Sequence, residues 1–264
     1  MSHDDLPAEI RVESDGPVRT VVLDRPAELN AVNSGLHRAL AEVWERLAAD
    51  PDAGAVVLTG AGRAFSAGGD LHWVASFLDD PVARDASLRE GARIIEEMLR
   101  FPLPVVAAVN GPAVGLGCSV ALLCDVVLIS ENAHLADPHV AVGLAAGDGG
   151  AAFWPLLTPL LRSREYLYTG DRIAAATAVE LGLASRAVPP ADLLPEAHRL
   201  AARIAAQPPE AVRGTKRVLN MHLARALDGP MQAGFAAEAA SMRSPEHRAR
   251  LTALVERAGR EGRS

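Results

Sequence analysis

The chain is poor in cysteine, aromatic rings and lysine. Its 264 residues hold 2 cysteines, and Phe, Trp and Tyr make up 4%. Both cysteines, Cys118 and Cys124, lie in one apolar stretch. That placement gives no metal-ligand spacing and no disulfide framework, and points to small core residues in a reducing compartment. There is no basic run and the net charge is −7, which argues against nucleic acid as the main ligand. No apolar run reaches the ~20 residues of a bilayer span, and the acidic, polar opening of the chain carries no signal-peptide pattern. A cytoplasmic protein with no membrane partner is expected. Lysine occurs once, at Lys216, although Lys and Arg together number 26. One ammonium in an arginine-rich chain suggests a compact charge for a phosphate; chance is the plain alternative.

What is present is ordinary for a globular protein: 49% hydrophobic and 22% charged residues. The length implies one large domain, or one domain with an appendage. The most informative stretch runs from Pro104 to Asp125. Val105–Val109 is short and β-branched and reads as a buried strand. Asn110 to Gly117 is a glycine-punctuated turn, and Cys118–Cys124 is apolar all round, the mark of a buried helix. Such a loop turns the free N–H groups of a helix start toward a neighbouring cavity. A phosphate, a carboxylate or a developing oxyanion suits that place. Gly111, Gly115 and Gly117 do not fit a dinucleotide fingerprint, and no lysine follows for a P-loop. Gly117-Cys118-Ser119-Val120-Ala121 ends one residue short of a nucleophile elbow. Close strand–helix packing is the other role open to these glycines.

Val18–Leu23, Gly54–Leu58 and Val126–Ile129 read as further strands. Leu36–Leu47, a stretch from Leu71 and Ser87–Leu99 read as the helices between them, with Asp79–Arg84 as a flexible connection. The alternation predicts an α/β core with parallel strands. After a loop-rich segment at 133–150 the chain reads as helical. The segments are Phe153–Leu161, Glu165–Tyr168, Ala174–Leu181, Leu193–Ala206, one from Pro208 through Leu227, and Met231–Met242. The expected division is a core over 1–200 and a helical region over 201–264.

Two loops together resemble one family. Ala64-Phe65-Ser66-Ala67-Gly68-Gly69-Asp70-Leu71 is similar to the first signature of the crotonase, or enoyl-CoA hydratase/isomerase, superfamily, and Pro104–Asp125 is similar to its second. The resemblance extends through Arg25-Pro26, Leu29-Asn30-Ala31, Val56–Gly60, Gly147–Gly150 and Leu167–Asp171. It implies a spiral of ββα units followed by C-terminal helices that make trimers, often paired as hexamers. It also implies an acyl-CoA substrate with no metal and no cofactor beyond coenzyme A. By position, the backbone N–H groups of Gly69 and Leu116 would form an oxyanion hole for a thioester enolate. Glu28, Leu29 and Ala67 fall where relatives line CoA, and Lys216 falls near the CoA phosphates. Asp70 would orient its loop, or simply cap a helix.

The chain departs from the family where hydratases carry two glutamates. The first place is Ser119 and the second is His139, in Asp137-Pro138-His139. A hydroxyl cannot do the acid–base work of a tuned carboxylate near pH 7. Three readings follow. Asp148, in Gly147-Asp148-Gly149-Gly150, is the carboxylate of an isomerase, or else a helix cap. Ser119 and His139 form a nucleophile–base pair for thioester hydrolysis, or else Ser119 makes room and His139 is a surface residue. Alternatively, the protein binds acyl-CoA without turnover. His72 and Trp73 are candidates for the acyl pocket, with packing as the simpler role.

Overall fold

The computed structural model describes residues 6–261. The polar opening from which the lack of a signal peptide was read lies partly outside them. Six strands form the main sheet in the order β1 (Ile10–Asp15), β2 (Val18–Leu23), β3 (Ala55–Gly60), β4 (Val105–Val109), β6 (Val126–Ser130), β9 (Arg186–Val188). A smaller sheet holds β5 (Ala113–Val114), β7 (His134–Ala136) and β8 (Ile173–Ala174). The main sheet is parallel from β2 to β9; β1 alone runs antiparallel, at the edge.

Every residue of β2, β3 and β4 is buried, as a parallel sheet covered on both faces requires. Side chains alternate between the faces. Val56 and Leu58 join the large core with Leu40 and Trp44 of α1 (Ser34–Ala48) and Ile94 of α3 (Pro81–Arg100). Ala55 and Val57 meet Leu193, Ala197 and Ala201 of α8 (Leu193–Ala205). Residue 200, the expected division, falls inside α8. After α8 the described residues form α9 (Pro209–Ser241) and α10 (Pro245–Glu261).

The structure departs from expectation where local signals compete. Asp79–Arg84 is no flexible connection. Asp80 Oδ1 accepts from the N–H groups of Val82 and Ala83 at 3.0 and 2.9 Å, and Pro81 stands at the first helical position. Cap plus proline is a start signal, so α3 begins here. The two expected helices ending at Leu227 and Met242 are one, because α9 continues through Pro230. The expected Phe153–Leu161 helix is two, α5 (Gly150–Leu157) and α6 (Leu160–Thr169), parted at Thr158-Pro159. Strand β1 escaped notice because Ile10-Arg-Val-Glu-Ser-Asp15 has one mostly exposed face.

Candidate active site

Two glycine loops leave the same end of the sheet, after β3 and β4, and are laced together. Val114 N–H donates to Ser66 O at 2.9 Å, and the Phe65 and Ser66 N–H groups donate to Pro112 O at 3.1 and 3.0 Å. Buried Asn30 ties the first loop through Ala61 O and Ala64 O. At the end of that loop Asp70 caps α2 (Leu71–Ser76), with Oδ1 accepting from His72 and Trp73 N–H. Its other oxygen faces Arg25 at 3.3 Å. Both readings of Asp70, cap and loop anchor, hold.

The second loop ends at Gly115, whose φ of 52° is costly for a side chain. This conformation opens α4 (Leu116–Leu122) and leaves the Leu116 N–H without a partner in its own helix. Among the described residues neither the Gly69 N–H nor the Leu116 N–H donates to a backbone carbonyl. Both residues line one cavity of about 120 Å³. Its walls are mainly apolar, with Trp73, Phe77, Leu88 and Phe235, and its polar members include His139, Asp148 and Glu238. A second cleft shares Gly69, Gly115 and His139 with it and continues past Ala67.

Four side chains form a row. His139 Nδ1 meets Asp137 Oδ1 in a short ion pair, and His139 Nε2 lies 3.5 Å from Asp148 Oδ2. Ser119 Oγ donates to Asp148 Oδ1 at 3.3 Å. Burial pulls the imidazole down, but Asp137 and Asp148 outweigh it and hold His139 well above its ordinary value. The two carboxylates thus favour the protonated ring between them. Burial raises Asp148 above the usual carboxylate range, His139 opposes that rise, and Asp137 adds to it. Asp137, His139 and Asp148 each offer one ligand atom within 4.8 Å of the others.

The structure thus brings Ser119, His139, Asp148, Gly69 and Leu116 together. It does not pair Ser119 with His139: Asp148 stands between them, and Ser119 is 1% exposed. Trp73 reaches the cavity, whereas His72 is exposed. Cys118 is buried beside the site, and burial pushes its thiol well up, so it supplies no thiolate.

The residues expected at CoA divide. Ala67 N–H donates to Leu29 O at 3.0 Å, so these two lie together, and Glu28 beside them is exposed. Lys216 has a different task. Its Nζ is buried and donates to Leu103 O at 2.8 Å and Asp125 Oδ2 at 2.7 Å. The ammonium is thus bonded inside the fold, and Lys216 also lines a cleft with Arg100, Arg213 and Arg217. Sequence reasoning missed Glu238 on α9, Asp137 as the partner of His139, and His37, which lines the cavity with Nδ1 bound to Glu90. A signal for Glu238 existed: it is the one charged residue between Asp228 and Arg243.

Comparison with known proteins gives a consistent result. The family model described as enoyl-CoA hydratase/isomerase matches residues 13–259. The putative enoyl-CoA hydratase/isomerase YngF of Bacillus subtilis is 35% identical over 219 residues, 83% of this chain and 82% of the relative. The short-chain-enoyl-CoA hydratase of Clostridium acetobutylicum is 29% identical, covering 95% of this chain and 96% of the relative. Among solved structures, an enoyl-CoA hydratase/isomerase from Mycobacterium paratuberculosis superposes with a TM-score of 0.90 at 50% identity. That match covers 94% of this chain and 99% of the other.

Proposed function

The chain belongs to the enoyl-CoA hydratase/isomerase family, the crotonase superfamily, and from that premise we infer that it is an acyl-CoA enzyme that moves a double bond. Gly69 and Leu116 N–H groups receive the thioester oxygen, and Asp148 takes the proton from the α-carbon. The observation that carries this reading is the placement of Asp148. It is the carboxylate that lies against both Ser119 and His139, and it lines the same cavity as the two partnerless amides. Two donors already aimed at a developing oxyanion stabilise it without reorganisation, each by roughly 2.7–4 kcal/mol in comparable chemistry. A base with a raised pKa is closer to the operating pH, where proton transfer is most effective.

His139 positions the base. Anchored by Asp137, it fixes the orientation of Asp148 and neutralises part of the local negative charge. Ser119 fixes the other oxygen. The acyl group occupies the apolar cavity, and the pantetheine arm leaves by the cleft past Ala67 and Leu29. Coenzyme A enters only as part of the substrate. Hydrolysis is disfavoured because the Ser119–His139 pair it needs is interrupted by a carboxylate.

The test is to incubate the protein with 3-enoyl-CoA, crotonyl-CoA and saturated acyl-CoA and follow product mass and free thiol. The expected result is conversion of 3-enoyl-CoA to 2-enoyl-CoA, reduced by at least about 100-fold in Asp148→Asn and far less in Ser119→Ala, which loses only a hydrogen bond to the base. Free CoA that disappears in Ser119→Ala would establish hydrolysis instead, and binding without turnover would establish a carrier. The exposed Val218, Leu219 and Met221 of α9 support assembly through the C-terminal helices into a trimer or hexamer. Light scattering that gives a monomer would refute that assembly.

A further inference from the structure

The long helix α9 brings one acid to the site. A Cβ on Gly234 would lie 2.9 Å from Gly147 O, and a Cβ on Gly147 would overlap Gly234 O and the Glu238 side chain. Two glycines therefore let α9 and the loop before α5 meet backbone to backbone. Glu238 stands one turn after Gly234, on the same helix face, and is set into the cavity that Asp148 and His139 line.

Its situation is costly. Glu238 is 6% exposed, and its Oε2 is buried with no hydrogen-bond partner. Among the described residues no cation is paired with it, unlike Asp137 and Asp148. A buried carboxyl without a donor destabilises a fold, and such groups gather at functional sites. The charged groups that act on it are Asp148, His139 and Asp137. Burial and then Asp148 push its pKa up, His139 opposes, Asp137 adds, and the value reaches about 8. At neutral pH Glu238 is thus an O–H donor, while Asp148 lies against His139.

We propose that Glu238 is a second catalytic carboxyl, the acid that delivers a proton to the far carbon of the substrate's double-bond system while Asp148 removes one from the near carbon. This rests on the Asp148 reading above. With a 3-enoyl-CoA, Asp148 takes the C2 proton, and the C–H electron pair moves into a C1–C2 double bond as the thioester oxygen becomes anionic. The oxygen then re-forms the carbonyl, C1=C2 becomes C2=C3, and the electron pair of the former C3=C4 bond takes a proton at C4 from Glu238. The products are 2-enoyl-CoA, protonated Asp148 and anionic Glu238. Passage of one proton from Asp148 to Glu238 restores the site, so atoms and charge balance. In this arrangement the two ends of the allylic system are served by different elements, the loop before α5 and helix α9.

The two proton transfers are separable. In deuterium oxide, 3-hexenoyl-CoA reports exchange at C2 by mass and the double-bond shift by absorbance. The wild type is expected to do both. Glu238→Gln keeps exchange within a few-fold and loses the shift by about 100-fold or more; Asp148→Asn loses both. Glu238→Asp is expected to recover part of the shift. In the wild type the ratio of shift to exchange falls as pH rises past about 8, where Glu238 loses its proton, a readout that needs no variant to fold. If Glu238→Gln shifts the double bond at the wild-type rate, or loses exchange and shift equally, the role given to Glu238 is wrong and Asp148 stands. If Asp148→Asn retains exchange, the Asp148 reading itself fails, and with it this inference.

Discussion

A backbone amide is the smallest unit on which the chemistry turns. In the proposed reading Leu116 acts through its N–H, while the residue, 9% exposed, packs into the core. Leu116→Pro removes that N–H at the first helical position, where proline is tolerated. The expected outcome is a fall in kcat of roughly 10²–10³ in a variant that still folds, with a lowered melting temperature because a buried leucine side chain is lost. An unchanged kcat in a folded variant would remove Leu116 from the site. At this scale the sequence was partly legible. Ser119 and Asp148 stood in glycine-bearing motifs and His139 in Asp-Pro-His, so their proximity was open to inference from resemblance. Their mutual arrangement was not, because it depends on rotamers: the row Asp137, His139, Asp148, Ser119 is held by hydrogen bonds among side chains up to 29 residues apart.

Elements carry the next set of consequences. Asp125 Oδ2 accepts from Val105 N–H at 2.7 Å and from Lys216 Nζ at 2.7 Å, so one carboxylate joins the start of β4 to α9. Lys216 is thus a clasp between the central strand and the helix that carries Glu238. Lys216→Met keeps most of the stem's packing but leaves Asp125 unpaired. The expected loss is about 3 kcal/mol, at the lower end for a broken buried pair because Asp125 is 28% exposed. Denaturant unfolding measures it, and the dissociation constant for coenzyme A is expected to stay the same. A large loss of CoA affinity with unchanged stability would show the phosphate contact instead. The rarity of lysine did mark a special position, but composition cannot distinguish an ammonium facing solvent from one facing a buried carboxylate. Strand β2 and helix α1 were legible because periodicity and capping agreed: Asn33 Oδ1 caps Leu36 N–H, as the Asn-Ser-Gly start suggested. Helix α9 was not, because Asp228-Gly229-Pro230 reads locally as a break and only packing against α3 and α5 carries the helix through it.

For the whole molecule, the sheet supplies the frame and its loops supply the chemistry. The α/β class followed from alternating strands and helices, and the parallel strands from the helices between them. The site is assembled from parts far apart in the chain: a loop after β3, a helix start after β4, a turn after β7 and a residue of α9. No local pattern reports that convergence: the family resemblance pointed to the amides of Gly69 and Leu116 and had no counterpart for Glu238. The most direct measurement is the infrared stretch of a carbon-13-labelled thioester carbonyl in acyl-CoA bound to Asp148→Asn, which binds without consuming its ligand. Two converging N–H donors predict a clear shift to lower frequency relative to free acyl-CoA, diminished in Leu116→Pro in the same background. A bound carbonyl that absorbs where the free one does would contradict the account at its centre.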